Sequence, residues 1–400
     1  MFALVPLHAQ VSDDEFAGPF ASWSNLRRDY GTGRDALQRA LNDLGTPGHS
    51  YNLFLPAGTY CFPEVSLATR IGVSIVGEDP ANTVLKYCGA KGGALLYLNG
   101  VAFSRISRIT FDCAGSAAIA VDQSWDGHSR YFDTGNEYSD VVFRNCTTAI
   151  RGGNLGYGFA KTSVLRARFE LSTGPCVILK NFNALDLFIW YSLFDQCYIG
   201  VTNDPGAGAF HVYNSVFRHS TVTDFRIHNT GIFNIRNNTS IGSKAFWVTS
   251  SPFPYPAQMT LQGNSLIGVA SPAIVIGNQG AALLIDNRIQ SPSKSGNPVV
   301  AASELGDTDL ITIGNQFTVD NPIAAKGVGS AWMTGPSKLS ICESLSCPEP
   351  RAIYIGVSSK CPGMPPPARS SKPSTRLPGS PVRVPSSTFP KAPTTSPPPW

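Results

Sequence analysis

The densest acidic stretch of this 400-residue chain is Val121-Asp-Gln-Ser-Trp-Asp-Gly-His128, followed at once by Tyr131-Phe-Asp-Thr-Gly-Asn-Glu-Tyr-Ser-Asp140. Carboxyl groups gathered this way suit cleavage of a glycosidic bond, which needs one protonated acid and one ionised base or nucleophile. The two stand about 5 Å apart for retention and about 6.5–9.5 Å apart for inversion. Asp122, Asp126, Glu137 and Asp140 are the catalytic candidates, with Asp133 beside them, and Trp125 and Tyr131 are at hand to stack on sugar rings. The competing role for each acid is that of a solvated turn former.

A second set comes from alternation along short strands. If Ile189, Val212 and Ile235 point inward, then Phe188, His211 and Asn234 form one outward row and Trp190, Tyr213 and Arg236 another. Large aromatics on an outer sheet face require a cover or a ligand. Trp190, His211, Tyr213 and Arg236 therefore join Trp125 and Tyr131 as substrate-binding candidates. Arg226 and His228 share a later strand and carry a weaker claim.

No metal-ligand spacing occurs. Cys342 and Cys347 are too far apart for a CxxC pair, and no paired His lies nearby. The nine cysteines are odd in number, and Cys113, Cys146 and Cys197 each follow a Phe by two or three residues (Phe111, Phe143, Phe194). Buried free thiols acting as small hydrophobes are the expectation.

The elements that must hold these residues repeat. From about 72 to 330 the chain breaks into units of roughly 22 to 30 residues, a period typical of solenoids. Leu187-Phe-Ile-Trp-Tyr-Ser-Leu-Phe194 matches Phe210-His-Val-Tyr-Asn-Ser-Val-Phe217 and Phe233-Asn-Ile-Arg-Asn-Asn-Thr-Ser240, then Met259-Thr-Leu-Gln and Ile311-Thr-Ile-Gly. A two-residue alternation predicts short half-buried strands, and repetition in one register predicts parallel stacking. Asn recurs after the first strand at Asn214, Asn237, Asn287 and Asn315, and after a later one at Asn181, Asn203, Asn229 and Asn278. Columns of Asn suit tight corners repeated along an axis.

On these residues the chain resembles the pectate-lyase-like right-handed parallel β-helix superfamily, which includes polygalacturonases, pectate lyases and two-domain β-1,3-glucanases. The resemblance spans about residues 20 to 330. Its opening segments are Arg34-Asp-Ala-Leu-Gln-Arg-Ala-Leu-Asn-Asp-Leu44, then Asn52-Leu-Phe-Leu-Pro-Ala-Gly-Thr-Tyr60 and Val73-Ser-Ile-Val-Gly-Glu78. It implies an all-β solenoid of about ten coils, closed at its N-terminal end by a short capping helix. It also implies a secreted or periplasmic glycoside hydrolase acting on a polysaccharide, without cofactor. Calcium enters only under a lyase alternative, for which Asp122, Asp126 and Glu137 would be the ligands, and a non-catalytic carbohydrate-binding or adhesion protein is the opposing class. Two departures matter. Tyr30-Gly-Thr-Gly-Arg34 lacks the fuller acidic stretch common before this helix, and Thr202-Asn-Asp204 and Arg226-Ile-His228 only loosely echo the polygalacturonase motifs.

Composition sets the limits. A content of 42% hydrophobic residues is enough for a large core, while 14% charged, 38 Gly and 31 Pro disfavour coiled coils. No apolar run approaches the eighteen residues of a spanning helix, so no membrane partner is expected. The net charge of +4 misleads. Residues 350 to 400 carry seven cations and no acid, and the remainder holds 24 cations against 27 acids, which removes the support for a nucleic-acid partner. No residue decides the oligomeric state.

Residues 1–20 resemble the end of a secretory signal. Residues 331–400 form a basic Pro/Ser-rich tail, for which disorder is the conventional expectation. Read one nucleotide earlier with suitable synonymous codons, 371 to 395 can encode IQAIDKAAGLPGPGPVVHLPKGTYN, which repeats the helix-then-LPxGTY grammar of residues 34 to 60. The tail is accordingly expected to be the frameshifted start of a second β-helix domain. Loss of that domain would leave a solenoid folded through about residue 330 with little catalytic activity.

Overall fold

The structure is a computed structural model that describes residues 22–229, 231–249, 257–277, 281–290, 298–303, 310–325, 331–333 and 337–338. By its contacts the chain divides into two units, Met1–Ile353, which contains all the described residues, and Tyr354–Trp400, which lies outside them. The signal-like start and the proposed frameshifted tail also lie outside the described residues.

The described residues wind into eleven coils, each laying one strand on each of three parallel sheets, here A, B and C in chain order. Coil 1 comprises Asn52–Leu55, Gly58–Phe62 and Val65–Ile71, and coil 3 comprises Arg105–Ser107, Thr110–Asp112 and Ile119–Gln123. Every strand pairs in parallel with its counterparts one coil away, as in Leu187↔Phe210 and Phe194↔Phe217. The predicted solenoid is therefore present.

Its interior is built from columns of like residues. On sheet B, Phe111, Phe143, Phe169, Phe194 and Phe217 stack ring on ring with centroids 5.3, 5.2, 4.4 and 4.4 Å apart. Ile189, Val212 and Ile235 point inward from sheet A, as the alternation requires. The open N-terminal end is capped by the helix Ala36–Asp43, whose Leu37 and Leu41 are buried against the first coils.

Several expectations are corrected. The described cysteines are not free thiols but three disulfides, Cys61–Cys88, Cys113–Cys146 and Cys176–Cys197. Each joins adjacent coils at the passage from sheet B to sheet C, where stacked coils bring cysteines 21 to 33 residues apart in sequence within Cα distances of 5.0–5.9 Å.

The asparagine column is real but shifted. Asn238, Asn264, Asn287 and Asn315 form it, each backbone N–H donating to the next side-chain oxygen at 2.9–3.0 Å. Asn214 and Asn237 lie one residue earlier, in the left-handed conformation at the same corner. Asn181 and Asn203 form no column, because Leu179 pairs with Asn203 and Asn181 falls two places later. Asn229 bonds to Ala207, and Asn278 lies outside the described residues. In coil 11, Leu310 and Thr312 face inward and pair in register with the column through Met259, so Ile311 faces outward. A slip of one residue exchanges the two faces.

Candidate functional site

Alternation on sheet C sends one residue per coil outward in the column Tyr97, Asp122, Arg151, Ile178, Thr202, Arg226. Two residues further along, the same register aligns Lys180, Asp204 and His228, and the Lys180 ammonium lies 3.9 Å from the Asp204 carboxylate. Thr202-Asn-Asp204 and Arg226-Ile-His228, remote in sequence, thus stand side by side on coils 6 and 7.

Asp122 accepts two hydrogen bonds from Arg151, to Nε at 3.1 Å and Nη2 at 2.6 Å. Beside it stands Tyr97, whose hydroxyl is pushed up to about 12 by burial and by the charges of Asp122, Asp126 and Asp133. Three of the five acids singled out in the sequence therefore act on one phenol.

The loop 124–136, which connects sheet C of coil 3 to sheet A of coil 4, brings the other two. Asp126 accepts from the Asn99 side chain (2.8 Å) and from the backbone N–H groups of His128 (2.8 Å) and Ser129 (2.7 Å). With the Asn99 bond leading, these donors hold its carboxyl well below the usual carboxylate range. Asp133 is fully buried and accepts from the Gly100 and Val101 N–H groups, both at 3.0 Å. Burial outweighs those bonds and pushes its carboxyl up to about 7.

The loop's aromatics largely serve the loop itself. Trp125 donates its indole N–H to Ser129 (2.9 Å) and meets Phe132 edge-on. The Arg130 guanidinium lies 5.2 Å from the centre of the Tyr131 ring. Phe132 in turn occupies the space where any side chain at Gly158, φ +147°, would project, so that position needs glycine.

Glu137 and Asp140 are not brought to this cluster. Glu137 faces out from sheet A and pairs with Arg105 at 2.8 Å, while Asp140, at the corner from sheet A to sheet B, takes a two-pronged grip from Arg166 at 2.6 and 2.7 Å. The trio Asp122, Asp126 and Glu137 is thus not gathered as calcium ligands. Among the described residues no group of three or more His, Cys, Asp or Glu is placed to hold a metal ion.

On sheet A the two outward rows are present as read: Phe188, His211 and Asn234, and Trp190, Tyr213 and Arg236. His211 lies between the Phe188 ring, 4.9 Å away, and the Asn234 amide, 3.0 Å from its Nδ1.

Tyr97, Arg151, Lys180 and the placement of Asp204 escaped the sequence reading. The signal was there in the column logic used for sheet A, but sheet C strands such as Ile119–Gln123 are buried at every position, so alternation does not mark their outer face.

The three parallel sheets define a right-handed parallel β-solenoid. No family model and no curated protein matches the chain. Among solved structures it is similar to the Agl-KA catalytic domain (13% identity, TM-score 0.53, covering 78% of this chain and 69% of that one). It is also similar to the catalytic domain of a GH87 α-1,3-glucanase in complex with tetrasaccharides (11%, 0.51, 78% and 67%). A third similar structure is the A-module of the Azotobacter vinelandii mannuronan C-5 epimerase AlgE4 (15%, 0.50, 79% and 99%).

Proposed function

We propose that the chain is a secreted polysaccharide-active β-helix protein that cleaves glycosidic bonds on the outer face of sheet C. The carrying observation is the relation of Asp122 to Asp126. Asp126 is bonded to Asn99, two residues beyond the Tyr97 that pairs with Asp122. Asn99 is the diagonal neighbour of Asp122 on the adjacent strand, so Asp126 is held on the same face and the two carboxyl groups are proposed to flank the scissile bond. Asp126, held ionised, is the carboxylate that orients water, and Asp122 becomes its acid partner once substrate displaces the two hydrogen bonds from Arg151. Arg151, Lys180, Arg226 and His228 continue the face toward the C-terminal coils as sugar-binding positions. Similar folds whose titles name a glucanase and a mannuronan epimerase support a polysaccharide as substrate, and disulfides at three coil junctions support secretion.

The test is release of reducing ends from a panel of glucans and uronans. Asp126→Asn and Asp122→Asn should each lower release at least a hundredfold in variants that keep the native circular dichroism spectrum. Equal turnover in these variants overturns the assignment. A second reading, binding without turnover, is favoured by one observation: Asp122, Asp126, Asp133, Glu137 and Asp140 are all already engaged by protein donors. Retention on a polysaccharide gel with no reducing ends from any polymer would select it.

A further inference from the structure

We infer that Asn237, at the corner between sheets A and B of coil 8, is an acceptor for an N-linked oligosaccharide. The inference rests on the proposed secretion and not on the proposed cleavage. A chain that passes through a eukaryotic secretory pathway meets a transferase that recognises Asn-x-Ser/Thr. Three such triplets occur in the sequence: Asn145-Cys-Thr147, Asn237-Asn-Thr239 and Asn238-Thr-Ser240. Transfer precedes folding, so the finished fold carries a glycan only where the amide nitrogen stays in solvent.

The fold sorts the three. Asn238 is 1% exposed, and its Nδ2 donates to Val212 O at 3.0 Å and to Asn264 Oδ1 at 3.2 Å. Both amide hydrogens are spent inside the asparagine column. A sugar on that nitrogen would replace one of them and would have to sit among buried groups. Asn145 is exposed, but its Nδ2 donates to Asp112 Oδ1 on the preceding coil at 3.1 Å, and the middle residue of its triplet, Cys146, is tied to Cys113.

Asn237 has neither restraint. It is exposed, it stands in the left-handed conformation at φ +56°, and its backbone N–H is satisfied by Gln262 O at 2.8 Å. Among the described residues its side-chain nitrogen makes no hydrogen bond. The next position in the same corner is Gly263, where an added Cβ would come 2.4 Å from Asn237 Oδ1. The amide therefore lies over backbone that carries no side chain. This corner is the one that does not border sheet C, so a glycan there leaves the proposed cleavage face open.

In the transfer, Asn237 Nδ2 bonds to the anomeric carbon of an oligosaccharide carried on a lipid diphosphate. The bond from that carbon to the diphosphate oxygen breaks, the lipid diphosphate leaves and one Nδ2 proton is released. Nothing is oxidised or reduced.

The experiment expresses the full chain behind a cleavable leader in a eukaryotic secretory host. Peptide N-glycosidase in heavy-oxygen water then marks each former glycan site by mass. Label should be highest at Asn237, lower at Asn145 and absent from Asn238. Thr239→Ala removes the Asn237 triplet while leaving that of Asn238 intact, and should lower label at Asn237 at least about tenfold without creating any at Asn238. Thr239→Ser, which keeps the hydroxyl, should retain the label. In microsomes, where protease protection shows entry into the lumen without requiring secretion, the native chain should also be labelled at Asn237.

Secreted or lumenal chain without label at Asn237, label at Asn145 equal to or above that at Asn237, or label on Asn238 in the secreted protein would overturn the inference. Release of reducing ends is read separately, so a chain that cleaves nothing still decides the question of the glycan.

Discussion

Asp122 and Arg151 stand opposite one another on coils 3 and 4 of sheet C, and their side chains, 7% and 27% exposed, are joined by two charge-assisted hydrogen bonds. Removing either partner strands the other in a half-desolvated position. Asp122→Ala and Arg151→Met should each lower stability by about 2–3 kcal/mol. The double variant should fall short of the sum by about 1–2 kcal/mol in urea unfolding. Additive losses would show that the pair is not energetically coupled.

The disulfides staple coils 1 to 2, 3 to 4 and 5 to 6, and the described residues beyond coil 6 carry none. Closing loops of 21 to 33 residues stabilises by about 3–4 kcal/mol each on the chain-entropy view. A solenoid is held coil to coil, so the effect should stay local. Replacing Cys113 and Cys146 together by Ala should raise hydrogen exchange in coils 1 to 5 while coils 8 to 10 change little. Uniform loss of protection across all coils would contradict that.

Legibility in the sequence follows the same local logic. Sheet A was readable because its strands alternate cleanly, as in the buried and half-buried positions of Leu187–Trp190. Sheet C was not, because Ile199–Asn203 is buried at every position and so shows no alternation. Parity misled the cysteine reading. The chain has nine cysteines, six of them pair within the described coils, and the other three, Cys342, Cys347 and Cys361, lie outside them. The acidic segment is legible as the densest in the chain, but the partners of Asp122 and Asp140 are Arg151 and Arg166, 29 and 26 residues on, a distance that only coil stacking closes.

Asp224 provides a pH test. It is fully buried at the point where Ser240 interrupts the phenylalanine stack after Phe217, and the Ser240 hydroxyl donates to its carboxylate. Burial pushes the carboxyl up to about 7, above an unfolded value of about 3.9. Between those limits the native state holds a proton that the unfolded chain releases. The contribution to stability is therefore full below about pH 4, declines as pH rises to about 7, and is flat above. Asp224→Asn should remove a slope of the order of 1 kcal/mol per pH unit over that range. Asp133, raised in the same direction, leaves a residual slope. Parallel pH profiles for the native chain and Asp224→Asn would show that Asp224 ionises normally.

The asparagine column allows a sharper test of what holds the C-terminal coils. Asn264 accepts from the backbone N–H and side-chain amide of Asn238, and its own amide donates to Ile235 O at 2.9 Å and to Asn287 Oδ1 at 2.9 Å. All of these groups are buried. Truncation to Ala would leave the Asn238 N–H and the Ile235 carbonyl without partners in a place water does not reach, at about 1–3 kcal/mol for each stranded group. Asn264→Ala should therefore cost about 3 kcal/mol or more. Asn264→Asp should cost nearly as much, because a carboxylate accepts from Asn238 but cannot donate to Ile235 or Asn287. Ser occupies the equivalent corner at Ser215, where its backbone N–H donates to Asn238 Oδ1 and its hydroxyl to Tyr213 O, so Asn264→Ser should lose distinctly less. The order Ser, then Asp and Ala, read from urea midpoints, checks the argument. If Asp were tolerated as well as Ser, the donor half of each rung would be dispensable and the column would act through its acceptors alone.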